Sequence, residues 1–264
     1  MTKAPARFPA RLGSPANRRP NAREDRLRPQ RPLHEAARDA ARRHAPSGLG
    51  LDSHEVRLAM VERLRAEGIR HEGLLAALAH VPRHHFVDSA LANQAYEDTA
   101  LPIGHGQTIS KPSVVARMLE LLLAGAAARR APPRVLEIGS GCGYQAALLS
   151  LLARQVVSIE RLRPLHVQAR ERLARWRHGD LRLLFGDGRL GHAGAAPYEG
   201  IIAAAGGEDL PPAWTAQLAE GGRLVAPLLF GAQQRLLVID RHDGRLLRQE
   251  LEAVHFVPLK SGTE

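Results

Sequence analysis

Arg134-Val-Leu-Glu-Ile-Gly-Ser-Gly-Cys-Gly-Tyr-Gln-Ala-Ala-Leu-Leu149 is the stretch on which the reading of the fold turns. Val135 to Ile138 form a short apolar run with the composition of a strand. Gly139, Gly141 and Gly143 then punctuate a tight turn, and from Tyr144 onward the residues favour a helix, with Ala147, Leu148, Leu151 and Leu152 spaced to cover one face. A strand that turns through glycines into a helix is a ligand cradle. The glycines let the backbone approach a bound molecule, and the helix N-terminus offers unpaired N–H groups.

The glycine spacing narrows the ligand. A dinucleotide fingerprint, Gly-x-Gly-x-x-Gly, would place its third glycine at position 144, which is Tyr144. The pattern present is Glu137-x-Gly-x-Gly-x-Gly143, which resembles the first motif of class I S-adenosyl-L-methionine (AdoMet) methyltransferases. A second strand-like run, Gln155-Val-Val-Ser-Ile-Glu160, ends in an acid about twenty residues beyond the first glycine. A nucleoside-binding α/β unit places a carboxylate there to accept hydrogen bonds from ribose hydroxyls. AdoMet carries no phosphate, so a glycine loop without Lys-Ser/Thr suits it and argues against a phosphate-binding loop.

Working outward, 264 residues suffice to bury a sizeable core, with one to two domains expected. A single cysteine excludes an internal disulfide framework and a cysteine zinc cluster, and no metal site is expected. No apolar run is long enough for a transmembrane helix, and the N-terminus lacks the apolar core of a signal peptide, so a cytoplasmic location is expected. The net charge of +10 is concentrated in residues 1–50, which hold twelve Lys/Arg against four acids. The rest of the chain is too nearly balanced to offer a basic binding face, so nucleic acid is not an expected partner except through this tail. Only Lys3, Lys111 and Lys260 are lysines among 37 basic residues.

Residues 1–50 read as a disordered Arg/Pro-rich extension with a short helix around Leu33–Arg43, because seven prolines forbid a longer one. Residues 51–264 read as the folded domain, with 51–123 a helical segment on the substrate side and 132–264 the core. Asp52 or Ser53 caps a first helix whose face carries Val56, Met60, Val61 and Leu64; Gly68 ends it. Glu72–His80 is a second helix, stopped by Val81-Pro82. Arg83 to Ser110 reads as a long polar connection without periodicity, a length usually reserved for function. Pro112 opens a helix bearing Val115, Met118, Leu119 and Leu122. Beyond the glycine loop, helix and strand alternate: a helix over 163–177, a strand at 181–185 running into Gly186-Asp-Gly-Arg189, and a strand at 198–205. A helix from Pro211 to near Glu220 follows, then a strand at 221–227 ending on Pro227. Gln234–Asp240, Asp243-Gly244 and Leu246–Phe256 form a closing hairpin.

Taken together, these motifs resemble the protein-L-isoaspartate (D-aspartate) O-methyltransferase family, from about Leu51 to Lys260. The specific matches are Val81-Pro-Arg-x-x-Phe-Val87, Tyr96-Glu-x-Thr-Ala-Leu-Pro-Ile-Gly104, Gln107-Thr-Ile-Ser110, Val114-Val-Ala-Arg-Met118, the glycine loop, Gly186-Asp-Gly188, Ala196-Pro-Tyr198, Gln217-Leu-x-Glu-Gly-Gly-Arg-Leu-Val225 and Phe256-Val-Pro-Leu259. The resemblance implies an α/β, Rossmann-like class I fold: a mostly parallel central sheet with helices on both faces, a C-terminal antiparallel hairpin and an N-terminal helical cap. It implies methyl transfer from AdoMet, leaving S-adenosyl-L-homocysteine (AdoHcy), to the free carboxylate of L-isoaspartyl, and by extension D-aspartyl, residues. Its partners are then isoaspartyl peptides and damaged proteins, with a monomer expected and no membrane. By the same resemblance Ser110 is the active-site serine. Thr108 and Ile109 line the methionyl side; Glu137, Gly139, Ser140, Gly141 and Gly143 form the cofactor loop; Glu160 takes the ribose; and Asp187 with Gly188 meets the adenine. Ile103, Gly104, Gln107 and Val257 lie on the substrate side.

The chain departs from the family in three places. Lys111-Pro-Ser113 stands where bacterial members usually read Gln-Pro-Tyr, Ala203-Ala-Ala-Gly206 stands for the more usual Thr-Ala-Ala-Pro, and Cys142 replaces a smaller loop residue. Other readings of the same residues stand beside these. Ser110 suits an N-cap before Pro112, Glu160 a solvated strand end, Asp187 a turn, and Cys142 a small loop filler. His84, His85 and His105 lack the spacing of a metal site and read as surface or substrate-edge residues. Rival functions are an AdoMet methyltransferase acting on a small molecule or nucleic acid, and nucleic-acid binding through the basic tail.

Overall fold

The computed structural model describes residues 54–174 and 179–264. The expected Leu33–Arg43 helix, the Asp52/Ser53 cap and the end of the 163–177 helix beyond Ala174 lie outside the described residues.

Seven strands form one sheet: β3 (Arg134–Ile138), β4 (Gln155–Glu160), β5 (Asp180–Phe185), β6 (Tyr198–Ala203), β7 (Leu218–Phe230), β8 (Gln233–His242) and β9 (Arg245–Ala253). Their order is β5-β4-β3-β6-β7-β8-β9. The first five run parallel, and β7-β8-β9 are antiparallel neighbours, so the expected closing hairpin is present. Chain direction out of β3 reverses between β4 on one side and β6 on the other, and a doubly wound sheet opens its ligand crevice at that switch point.

Alternation along the strands builds two cores. Val135, Val156, Ile202, Val225 and Val238 face one side, and Leu136, Val157, Ile201, Leu224 and Ile239 the other. The first side is covered by α1 (His54–Ala66), α2 (Glu72–His80), α3 (Pro112–Leu123), α4 (Tyr144–Leu152) and α5 (Arg163–Leu173); the second holds α6 (Pro212–Gln217) and buried Trp214. In α1, Met60, Val61 and Leu64 are buried, as their spacing predicts. The helical cap of α1 and α2 thus shares its core with the sheet rather than standing apart.

Three local expectations need correction. The Arg83–Ser110 connection is built, not irregular. It contains 3₁₀ turns at Arg83–Phe86 and Ser89–Gln94 and a hairpin of β1 (Leu101–Gly104) and β2 (Gln107–Ile109), turned at His105, φ 53°, and Gly106. Strands this short show too few alternations to register as a period. The helix expected to run to Glu220 ends at Gln217 because Leu218 already pairs with Tyr198 in β7; the Glu220 carboxylate instead accepts the amides of Asp243 and Gly244 in the hairpin turn. Pro227 lies inside β7, not at its end. Its carbonyl accepts from Gly207 N–H, on the edge away from β8, so its missing N–H removes nothing from the β7–β8 ladder.

Candidate active site

The glycine loop leaves β3 at the switch point. Gly139 and Ser140 donate their amides to the Ile159 carbonyl of β4, at 2.8 and 3.2 Å, and Ala204 N–H, just past β6, donates to Ile138 O at 2.8 Å. Gly139 and Gly143 have φ of 87° and 92°, a region that a side chain disfavours. At Gly143 the chain also passes so close to α5 that a Cβ would lie 3.0 Å from Leu173 Cδ1. α4 then opens with no side-chain cap.

A cavity of about 330 Å³ lies over this loop. Its floor is Ile138 to Gly141 with Tyr144 and Gln145; one wall is Ile159 to Leu162, and Gly188 and Ala204 close the far end. The β1–β2 hairpin contributes Ile103 and Gln107 to Ser110, and the C-terminal segment contributes Val257 to Lys260. Of the residues singled out from the sequence, Ile103, Gln107, Thr108, Ile109, Ser110, Gly139, Ser140, Gly141, Glu160, Gly188 and Val257 line this one cavity; Gly104, Glu137, Gly143 and Asp187 do not.

Glu160 is buried at the end of β4. Each carboxylate oxygen accepts one amide at 2.9 Å, Oε2 from Gly141 and Oε1 from Leu162. The group is therefore held in one orientation, with its remaining lone pairs free to accept from a ligand.

Glu137 sits behind the loop, fully buried. Ser140 Oγ and Ser158 Oγ are 2.5 Å apart, and Ser158 donates to Glu137 Oε2, so a chain of hydroxyls joins this acid to the loop. Burial pushes the Glu137 carboxyl up from 4.5 to about 8. The folded protein therefore holds a proton there at neutral pH that the unfolded chain releases. The stability this gives is complete below pH 4.5 and is lost as pH rises to about 8, by up to about 1.4 kcal/mol per pH unit. Glu137→Gln, which cannot titrate, is expected to flatten this dependence. Urea unfolding of both proteins at pH 5 and pH 8 checks it: the variant should gain on the wild type with rising pH, and a constant difference would refute the buried neutral carboxyl.

Asp187 closes the region from outside. Its Oδ1 accepts from Arg189 N–H at 2.9 Å and its Oδ2 from Gly262 N–H at 2.7 Å, which ties the C-terminal segment to the end of β5. That segment is also held by Gly206, which donates to Val257 O and accepts from Leu259 N–H, both at 2.8 Å, and by Gln234, whose side chain bonds the amide and carbonyl of Phe256. Proline at position 206 could not make the first bond, so this departure from the family pattern has a structural use.

Ser110 is not the helix cap. Lys111 occupies that position without a side-chain bond, and Asp98 reaches across to accept from Ser113 N–H and Ser113 Oγ, at 2.9 and 2.8 Å. The Ser110 hydroxyl has no hydrogen-bond partner among the described residues, whereas its carbonyl accepts from Arg83 at 2.6 Å. Cys142 is buried, and burial raises its thiol pKa, as befits a loop filler. His84 Nδ1 lies 2.7 Å from the Tyr96 hydroxyl. Among the described residues the one cluster with metal-ligand chemistry, Glu220, His242 and Asp243, is exposed and distant in sequence from these histidines. No helix among the described residues is long and apolar enough to cross a membrane.

Sequence reasoning missed Tyr144, Leu162, Lys260 and Arg83. Tyr144 and Leu162 read as the ordinary first residues beyond a loop and a strand. In the sequence Lys260 stands out only for its rarity, and Arg83 only as part of a motif.

Comparison with known proteins agrees with this geometry. The family model described as protein-L-isoaspartate(D-aspartate) O-methyltransferase matches residues 55–264. A protein-L-isoaspartate O-methyltransferase of Methylibium petroleiphilum is 65% identical over 263 residues, covering 98% of this chain and 97% of its own, so the alignment takes in most of the basic extension as well. One of Leptothrix cholodnii is 59% identical over 244 residues, covering 89% and 84%. Among solved structures, a protein-L-isoaspartate O-methyltransferase superposes with a TM-score of 0.70 at 27% identity, over 78% of this chain and 66% of that one. A Plasmodium falciparum β-aspartate methyltransferase, solved with AdoHcy, superposes with a TM-score of 0.67 at 22% identity, over 77% and 98%. With the class I methyltransferase sheet, the glycine loop at its switch point and a family match running to the last residue, the chain belongs to the protein-L-isoaspartate(D-aspartate) O-methyltransferase family.

Proposed function

We propose that this protein transfers a methyl group from AdoMet to the free carboxylate of L-isoaspartyl residues in damaged peptides and proteins, the first step of their repair. The observation that carries the reading is that Ser110, its hydroxyl without a hydrogen-bond partner among the described residues, lines the same cavity as the glycine loop and the doubly anchored Glu160.

The residues present fit the cofactor. Glu160 retains acceptor capacity for ribose hydroxyls, and Gly139, Ser140 and Gly141 line the cavity beside it. Gly188 lines the cavity as well, packed so closely on Ile138 that a Cβ there would meet Ile138 Cγ2 at 2.5 Å. Thr108 and Ile109 face the same space from β2. When bound, AdoMet supplies an electrophilic methyl group on a sulfonium.

The protein's part is then alignment and exclusion of water. An isoaspartyl carboxylate is ionised at neutral pH and is already a nucleophile, so no strong base is required. Ser110 would donate one hydrogen bond to it and fix the direction of approach. The β1–β2 hairpin and Val257 to Lys260 would cover the reactants. Glu137 and Asp187 support the site from behind, the first through Ser158 and Ser140, the second by anchoring the C-terminal segment. Action as a monomer in the cytoplasm belongs to the same reading; with one cysteine the fold depends on no internal disulfide.

The deciding experiment is methyl transfer from labelled AdoMet to an isoaspartyl peptide beside its aspartyl twin. Labelling of the isoaspartyl peptide alone is expected. AdoHcy binding with no label on either peptide would overturn the acceptor and favour a small molecule or nucleic acid in its place.

A further inference from the structure

Arg83 is a buried cation that no carboxylate among the described residues pairs with. It begins the 3₁₀ turn after α2 and has no exposed surface. Its Nε donates to Ala95 O at 2.8 Å and its Nη2 to Ser110 O at 2.6 Å. Its Cζ stands 5.0 Å from the centroid of the Tyr144 ring, which lines the cavity. The Arg83 and Tyr144 side chains interact electrostatically and approach hydrogen-bonding range, but among the described residues neither Arg83 Nη1 nor the Tyr144 hydroxyl makes a hydrogen bond of full geometry.

Among the described residues no carboxylate forms an ion pair with Arg83. Asp98, the acid that acts on it most, has both oxygens on Ser113. Burial lowers the Arg83 pKa, but a guanidinium stays protonated in a folded protein. An unbalanced buried charge is costly to keep. Two carbonyl acceptors hold the geometry without offsetting it. A neutral side chain would fill the same space at lower cost, so the charge calls for a role.

We propose that Arg83 is a positioning and specificity-determining residue for the acceptor: it fixes the main chain of Ser110 and holds behind it the positive charge that an anionic acceptor balances. This rests on the proposed reaction, in which the acceptor enters as a carboxylate. The cation acts through Ser110 and the Tyr144 ring and does not touch the methyl group. It raises affinity for a carboxylate over a neutral amide of the same shape, and it leaves the cofactor half of the cavity unaffected.

The test uses the full chain. Wild-type labelling of an isoaspartyl peptide decides the reaction independently of Arg83. Arg83→Met fills the space without charge; Arg83→Lys keeps the charge but is too compact to span both carbonyls. For Arg83→Met the expected result is AdoHcy affinity within about threefold of wild type and a peptide KM raised about tenfold or more. Arg83→Lys should recover most of the KM while its kcat stays low. An unchanged peptide KM in Arg83→Met, a parallel fall of AdoHcy and peptide affinity, or no advantage of Lys over Met would overturn the proposal. Should Arg83→Met fail to fold, the AdoHcy complex of Ser110→Ala decides. It should bind the isoaspartyl peptide about tenfold more tightly than the isoasparaginyl amide at low salt, and equal binding of the two would refute the role of the charge.

Discussion

Glu160→Gln is expected to weaken AdoHcy binding about a hundredfold while leaving the protein folded. The carboxylate accepts the amides of Gly141 and Leu162 on separate oxygens, both at 2.9 Å. Glutamine can accept only one of them; its NH₂ would point at the other N–H, which loses a charge-assisted bond and sets two donors face to face. Each such bond is worth about 1.5–3 kcal/mol, and about 2.7 kcal/mol corresponds to a hundredfold in affinity. The loss falls on the glycine loop and the ribose acceptor together, because one carboxylate organises both. Isothermal titration with AdoHcy measures it directly. Binding within threefold of wild type would mean that Glu160 only closes the end of β4.

Ser110→Ala is expected to do the opposite: AdoHcy affinity and melting temperature unchanged, kcat/KM for an isoaspartyl peptide lowered about ten- to a hundredfold. The range follows from removing one hydrogen bond to an ionised carboxylate, about 1.5–3 kcal/mol. Structure separates this outcome from the capping role that the Ser-x-Pro order suggests. The α3 amide of Ser113 is already satisfied by Asp98, so deleting the Ser110 hydroxyl leaves no helix end unpaired. A fall in melting temperature with little kinetic change would return Ser110 to a structural role. Together the two variants divide the cavity into a cofactor half and an acceptor half.

The parts of the site legible in the sequence were those whose chemistry is local. The Gly139–Gly143 spacing dictates a turn that only glycines make well. The acid at Glu160 follows from the length of one helix and one strand. The hairpin at Asp243-Gly244 follows from turn chemistry between alternating runs. Less legible were features that depend on distant partners. The β1–β2 hairpin is too short to show a period, and Pro102 and Gly104 disguise it further. Arg83 has the composition of a surface residue, and nothing near it in the chain says that its guanidinium will lie under Ser110.

The acceptor half of the site was implied only by resemblance to the family; sequence alone determined the class of fold, most of its strands and helices, and the glycine loop with Glu160 beyond it. These follow from sterics and hydrogen bonding between near neighbours, which set helix, strand and turn wherever the chain carries the right period. Tertiary structure alone decided that Ser110, Glu160, Gly188 and Val257 share one cavity, that Asp187 and Glu137 stand outside it, and that Arg83 is buried without a carboxylate partner among the described residues. Those outcomes depend on sheet order, register and packing between segments far apart in the chain. A local pattern carries no information on which of many compatible neighbours a side chain will meet.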